Sequence, residues 1–282
     1  MKQFKALIKK EWQTHWSTII APLWFIGGVY AIALLGVIVS LIKGNGWIQM
    51  GGDVPAEMAN YILWNSTAGL TMLIGTVGIV SAIILADSML NGGYKRRCEI
   101  LHLSQPVCLG KIVGAKYLLL SLGTISLIAV LSLVNSFAAS LLAGYKTGAS
   151  LFVGLSGCAQ GFIEISLSLL FVSSLYWFFA GVFKRKSFFM GTLTILAIQV
   201  SISILNYTAG LHIPSLLSYI ARLAAVNINV NPPAFAGGIN NISALIDAKW
   251  QQFFVWDSVM KLVYSVIFYF GGFFMYKNRE LS

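Results

Sequence analysis

Charged residues are scarce in this chain, and their scarcity argues against a soluble globular protein. Only 10% of the 282 residues are Asp, Glu, Lys or Arg, whereas soluble domains carry about 25%. Hydrophobic residues make up 57% of the chain, and the mean hydropathy is +0.80. The composition is therefore that of an integral membrane protein.

Sequence motifs for catalysis and for cofactor binding are missing as well. The chain contains no GxxxxGK[ST], HExxH or GxSxG pattern, which argues against a phosphate-binding loop, a zinc protease site or a hydrolase nucleophile. Its three cysteines (Cys98, Cys108, Cys158) form no CxxC pair, so neither a disulfide framework nor a metal site is indicated. We expect no catalytic, cofactor-binding or metal-binding residue in this chain.

Long apolar runs dominate what remains, and they predict an all-α protein with six transmembrane helices. The runs cover about residues 19–42, 61–86, 112–142, 149–183, 187–205 and 253–276. The fourth run is longer than the roughly 20 residues that a bilayer needs. It must therefore tilt, protrude or break near Gly154, Gly157 and Gly161. The spacing of the last two glycines is typical of close helix packing.

Two segments outside these runs are predicted to be helical at the membrane surface. Residues 1–16 place apolar side chains at helical spacing, with lysines mostly off that stripe, so we expect an amphipathic interfacial helix. Residues 206–252 form the longest loop, and Ile213 to Val226 is its most apolar piece. We expect short extracytoplasmic or re-entrant helices there, before the last span.

The distribution of basic residues predicts the orientation. With six spans, both termini and the second and fourth loops share one face, which carries 14 of the 19 Lys and Arg residues. The other face carries only Lys43, Lys146, Arg222, Lys249 and Lys261. The positive-inside rule then places both termini in the cytoplasm of a multi-pass protein. The net charge of +10 is explained by this topology and by attraction to anionic lipid, so we expect no nucleic-acid partner.

Residues 87–111, between the second and third spans, gather polar and turn-forming residues more densely than any other segment. Gly92-Gly93 and Pro106 predict two breaks in the chain. The apolar residues between the breaks are sufficient for one short amphipathic helix along the membrane surface. Such a helix could be pushed by a soluble partner; a solvated loop that follows the charge rule is the alternative.

Few ionisable residues lie within the predicted spans. Glu164 falls near the middle of the fourth run, and a carboxylate at that depth is a candidate for a translocation path. The alternative is a buried, protonated carboxyl, or one hydrogen-bonded through Gln160 or Ser166. Asp257 and Lys261, four residues apart in the last span, are predicted to form a structural ion pair on one helix face.

The whole arrangement resembles the ABC-2 type permeases, the membrane subunits of ABC exporters. The likeness covers the interfacial helix, six spans, cytoplasmic termini and a long apolar loop before the last span. Its most specific part is Glu99-Ile-Leu-His-Leu-Ser-Gln-Pro-Val-Cys-Leu-Gly-Lys111, which is similar to the family's Glu, leucine-rich turn, Pro-Val and Gly-Lys before the third span. The Gly-Thr usual before the Glu is replaced by Arg-Arg-Cys, and the Ser-Arg usual after Pro-Val by Cys-Leu.

The resemblance implies a mechanism and a set of partners. The chain would pair with a second copy or a homologous permease in a cell membrane, the inner or cytoplasmic membrane of a bacterium. Two separate ATPase subunits, which would hold ATP and Mg²⁺, would dock beneath it and press on the 87–111 region and the N-terminal helix. The residues that the resemblance assigns to ATPase coupling are Tyr94, Lys95, Arg96, Arg97, Glu99, Leu101 and Pro106.

Two other functions remain open from the sequence. A membrane-embedded lipid-modifying enzyme could use Glu164, His102 or Asp257, although no recognisable spacing brings them together. A scaffold or sensor subunit that transports nothing is the second. The family handles lipids, polysaccharides, peptides, drugs and ions, and a single carboxylate selects none of them.

Overall fold

In the computed structural model of the protein, the described residues are 2–43, 55–95, 108–225, 242–251, 253 and 255–281, and they form helices and no strand. The helices are α1 (Lys2–Ile42), α2 (Ala56–Lys95), α3 (Leu109–Thr147), α4 (Leu151–Val182), α5 (Ser187–Ala209), α6 (Leu216–Ala224), α7 (Ile242–Gln251) and α8 (Trp256–Leu281). All but α6 and α7 are long and apolar enough to cross a membrane. The predicted all-α class and the six apolar helices are confirmed.

The N-terminal segment and the first span form a single helix. Residues 2–16, predicted as a separate interfacial helix, continue into α1 without interruption, and Pro22 lies inside the same helix. Trp12 and Trp16 are exposed on its surface, whereas Ile19 is buried against the bundle. The N-terminal segment and the apolar half of α1 are therefore parts of one continuous helix.

The break predicted at Gly92-Gly93 is wrong, because α2 continues through both glycines to Lys95. A glycine inside a helix costs only about 1 kcal/mol relative to alanine. The preceding turn is held by Asn91, whose Nδ2 donates to Asp87 Oδ1 at 2.9 Å and to the Phe183 carbonyl at 3.1 Å. These contacts fix the turn that leads into the glycines, and the helix persists beyond them.

Helix α4 lies at the centre of the bundle and contacts α2, α3, α5, α6, α7 and α8. It is one uninterrupted helix, so the break considered near its three glycines is not present. The glycines instead allow α2 to approach. A Cβ atom at Gly157 would overlap the carbonyl oxygen of Trp64, and one at Gly161 would lie 3.0 Å from the carbonyl oxygen of Ala68.

We expect Gly157→Ala to destabilise the protein by about 3 kcal/mol, at the upper end of typical overpacking penalties. The new methyl group would meet the backbone of α2, which no side-chain rotation can move aside. Thermal unfolding in detergent measures the effect. Gly69→Ala is the matched control, because no atom lies within 4 Å of a Cβ there. Equal stability of the two variants would show that α2 and α4 are not in close contact.

The start of α1 and the end of α8 lie at one end of the bundle. Ile19, Leu90, Val113 and Tyr276, which come from four different helices, belong to one buried cluster there. We call this the basic end. Basic residues at this end include Lys5, Lys9, Lys10, Lys111, Lys116, Lys184, Arg185, Lys186 and Lys277. The helices thus place together the residues that the charge count assigned to one face.

Helices α7 and α8 follow one another along α4. Ile242, at the start of α7, lies in a cluster that includes Val153 of α4. The carbonyl of Ile246 then accepts a hydrogen bond from Gln160 at 3.0 Å. Farther along, α8 packs against the second half of α4. The short helices predicted in residues 206–252 are therefore present, and α7 extends the last span toward the end opposite the basic end.

Candidate functional site

Three buried ionisable side chains converge midway along α4. Glu164 of α4 is 7% exposed, Lys249 of α7 is 9% exposed and Lys261 of α8 is 5% exposed. Lys249 Nζ lies 3.7 Å from Glu164 Oε2. Lys261 Nζ donates to Ser168 Oγ at 2.9 Å. We call Glu164, Ser168, Lys249 and Lys261 the central charged cluster.

The spacing of polar residues in α4 produces the cluster. Gln160, Glu164 and Ser168 are four residues apart, so they form one stripe along the helix. Gln160 does not bind Glu164, contrary to one of the alternatives from the sequence. Its Oε1 accepts from Trp64 Nε1 at 2.9 Å, and its Nε2 donates to Ile246. That leaves the Glu164 carboxylate to face Lys249.

The cluster lies where short helices end. Helix α7 ends at Gln251, two residues after Lys249, and α8 begins at Trp256. Helix α6 ends beside the same place, where the Ala225 carbonyl accepts from Lys261 Nζ at 3.3 Å. The C-terminal end of a helix dipole favours a cation. Discontinuous helices that meet near the middle of a bundle are a common setting for substrate and ion sites in transporters.

The free-energy cost of burying charged side chains indicates that this cluster has a defined role. Removing charges from water costs several kcal/mol for each ion unless good partners compensate. Glu164 and Lys249 compensate each other, and Lys261 is held by a hydroxyl and a helix end. The arrangement ties α4 to α6, α7 and α8 through charged groups. These contacts can therefore hold the four helices in register, and loss of a charge on one of the side chains would weaken the contacts between them.

The predicted ion pair between Asp257 and Lys261 is not the contact that the structure shows. Asp257 Oδ1 instead accepts from Arg222 Nη2 at 2.9 Å, and Arg222 also lies 5.5 Å from the ring centre of Tyr219. The Arg222 side chain is 57% exposed, so this pair contributes little to stability. Lys261 Nζ instead donates to Ser168 Oγ of α4 and to the Ala225 carbonyl at the end of α6.

A second polar network lies at the basic end. Lys116 of α3 donates to the carbonyl of Met89 in α2 at 2.6 Å and lies 4.0 Å from Glu11 of α1. His15, one turn after Glu11, lies 3.6 Å from that carboxylate and 3.0 Å from Ser88 Oγ. Glu11 is 7% exposed and Lys116 is 8% exposed. These buried groups connect α1, α2 and α3 near the C-terminal end of α2 and the N-terminal end of α3.

Asp87 extends this network to the next pair of helices. Besides accepting from Asn91, its Oδ1 accepts from Ser187 Oγ, at the start of α5, at 2.5 Å. Asn91 in turn holds the carbonyl of Phe183, just after α4. In the sequence, Asp87 is simply the acidic residue that follows the second apolar run. The structure gives it the function of joining α2 to the turn between α4 and α5.

The predicted coupling residues fall mainly outside this description. Tyr94 and Lys95 belong to the last turn of α2. Arg96, Arg97, Glu99, Leu101 and Pro106 lie outside the described residues. The two helix ends that bracket them are described, and both carry members of the network at the basic end.

No protein-family model, curated protein or solved structure matches the chain. The case for a function therefore depends on this chain's own residues and contacts.

Sequence reasoning missed several members of both polar sites. Lys249 was assigned to an outer loop, because nothing in the sequence shows that α7 folds back along α4. Glu11 did leave a signal, since it is the single acidic residue among the 16 N-terminal residues. Lys116 left another, because it is the second lysine of α3 and lies deeper in the apolar sequence than Lys111. An acidic and a basic residue at corresponding depths of two helices are candidates for a buried pair.

Proposed function

We propose that this protein is the membrane subunit of an ABC-2 type ABC transporter, acting as an exporter driven by separate ATPase subunits. The chain itself would break no covalent bond. Two copies, or one copy and a homologous permease, would form the pathway in a cell membrane, with both termini in the cytoplasm. The resemblance of Glu99–Lys111 to the family's sequence, described above, motivates the proposal.

The observation that carries the proposal is the buried network at the basic end. A partner that pushes on residues 96–107 acts on the ends of α2 and α3 on either side. Through Lys116 and Glu11 the same push reaches α1, and through Asp87 it reaches α5. A solvated loop without mechanical function needs no such connection between four helices. The network supports the interpretation of this region as the coupling element.

The central charged cluster fits the same proposal. It links the two discontinuous helices, α6 and α7, to α4 and α8 at mid-depth. A rearrangement of helix ends at the basic end would change these contacts. The alternative of a lipid-modifying enzyme gains nothing from the cluster, because Asp257 binds Arg222 and not Glu164 or Lys261.

The proposal is tested by reversing the charges of Arg96, Arg97 and Glu99 together. We expect the variant to insert normally but to lose the coupling of ATP hydrolysis to transport, because the partner's contact surface would change sign. ATPase activity and transport are measured in vesicles that contain the whole complex. The control reverses Lys43, Lys146 and Asp53, which the span assignment places on the opposite face. Unchanged stimulation and transport in the first variant would contradict the coupling assignment.

A further inference from the structure

An open apolar groove runs along the surface between α1 and α3, beginning near the basic end. It has a volume of about 470 Å³. Ile8 and Trp12 of α1 form one wall, and the face of α3 from Leu118 to Val130 forms the other. Neither the coupling network nor the central charged cluster includes any of these side chains.

The length of the groove corresponds to one leaflet of a bilayer. Twelve residues separate Leu118 from Val130, which is about 18 Å along a helix. Half of a hydrocarbon core is about 15 Å thick. Both helices belong to candidate membrane spans, so the groove faces lipid tails. Trp12, a residue that is 40% exposed, lies toward the end where an interfacial tryptophan is expected.

Exposed lysines continue the walls of the groove at that end. Lys111 is seven residues before Leu118 and shares its face of α3. Lys5 is three residues before Ile8 and shares its face of α1, and both lysines are exposed. Glu11 pairs with Lys116 across the same two helices. Lys5 and Lys111 therefore lie at similar depth, one or two turns beyond that pair.

We propose that this groove binds an anionic phospholipid. One acyl chain lies between α1 and α3, and the phosphate lies between Lys5 and Lys111. Basic residues that flank a hydrophobic surface are the usual determinants of anionic lipid binding. The groove touches α1 beside Glu11, so a bound lipid would also support the packing of α1 on α3.

Lipid titration of the purified full chain, followed by native mass spectrometry, tests the proposal with phosphatidylglycerol and phosphatidylcholine as probes. We expect wild type to bind one phosphatidylglycerol more tightly than phosphatidylcholine. The double variant Lys5→Gln, Lys111→Gln should weaken phosphatidylglycerol binding about thirtyfold, or about fivefold for each lysine. The control variant Lys10→Gln, Lys277→Gln loses the same charge at the same end and should bind as wild type does.

A second variant tests the apolar part of the site. Gly123→Leu should abolish the tight phosphatidylglycerol site because its side chain fills the groove, while its Cβ makes only an ordinary 3.6 Å contact with Leu119. Gly69→Leu, on an open surface of α2, is the control. If Gly123→Leu does not fold, phosphatidylglycerol binding by the two lysine double variants is sufficient to test the proposal. Equal binding of both lipids, or equal effects of the two lysine pairs, would overturn the proposal.

Discussion

Replacing Glu164 by Gln is expected to lower the free energy of unfolding by about 3 kcal/mol. The substitution keeps the shape of the side chain but leaves Lys249 buried without its counter-charge, 3.7 Å away. Removing one partner of a buried ion pair typically costs 3–5 kcal/mol, because the remaining charge is not compensated. Denaturant or thermal unfolding in detergent measures the loss, and transport in vesicles should fall with it.

A double-mutant cycle separates pairing from simple loss of a side chain. The variant Glu164→Gln, Lys249→Met removes both charges, and we expect it to be more stable than Glu164→Gln alone. Asp247→Asn is the matched control, since this carboxylate lies on α7, as Lys249 does, but is exposed. The free energy of unfolding of this control should stay within about 0.5 kcal/mol of the wild-type value. If the stability loss of the double variant equalled the sum of the losses of Glu164→Gln and Lys249→Met, the two residues would not be coupled.

Neutralising Glu11 and Lys116 together is expected to disconnect the N-terminal part of α1 from α3. Glu11→Gln with Lys116→Met leaves no buried charge unpaired within this pair, so the fold should be largely retained. The direct contact between α3 and α1 at Glu11 is lost, and of the network only the hydrogen bond between His15 and Ser88 still joins α1 to α2. We expect transport per ATP hydrolysed to fall about 5- to 150-fold, the usual range of coupling between sites.

The measurement compares ATP hydrolysis and transport by the same vesicles. The double variant should keep its ATPase activity while transport declines, whereas Lys116→Met alone should also destabilise the protein. Lys277→Met serves as the control, because this lysine lies at the basic end and is exposed. If the double variant transported as efficiently as the control, the network would be structural only.

The sequence predicted the parts of the fold that depend on local hydrophobicity. Apolar runs marked all six long helices, and basic residues marked the end at which the termini meet. Local signals were insufficient where tertiary contacts decide. The glycines at 92 and 93 predicted a break, but Asn91 and its contacts with Asp87 and Phe183 hold the preceding turn in a helix. In the same way, the glycines of α4 serve contact with α2.

The candidate sites were predictable only in part. Glu164 was identified because a carboxylate in an apolar run is conspicuous in any sequence. Lys249 was not, since its approach to Glu164 depends on α7 folding along α4. The partner of Asp257 was assigned by helical spacing, but Arg222 is brought closer by α6. Spacing within one helix indicates which residues could meet, and it contains no information about helices that pack from elsewhere.

Site-specific photo-crosslinking in native membranes tests the central claim most directly. A photo-reactive residue replaces Glu99 in one variant and Tyr207 in another, and the crosslinked products are identified. Tyr207 is 92% exposed near the end of α5 that lies away from the basic end. We predict that position 99 captures a nucleotide-binding ATPase and that position 207 does not. Capture of no such protein from position 99, or labelling of position 99 by a reagent confined to the outside of the cell, would contradict the account.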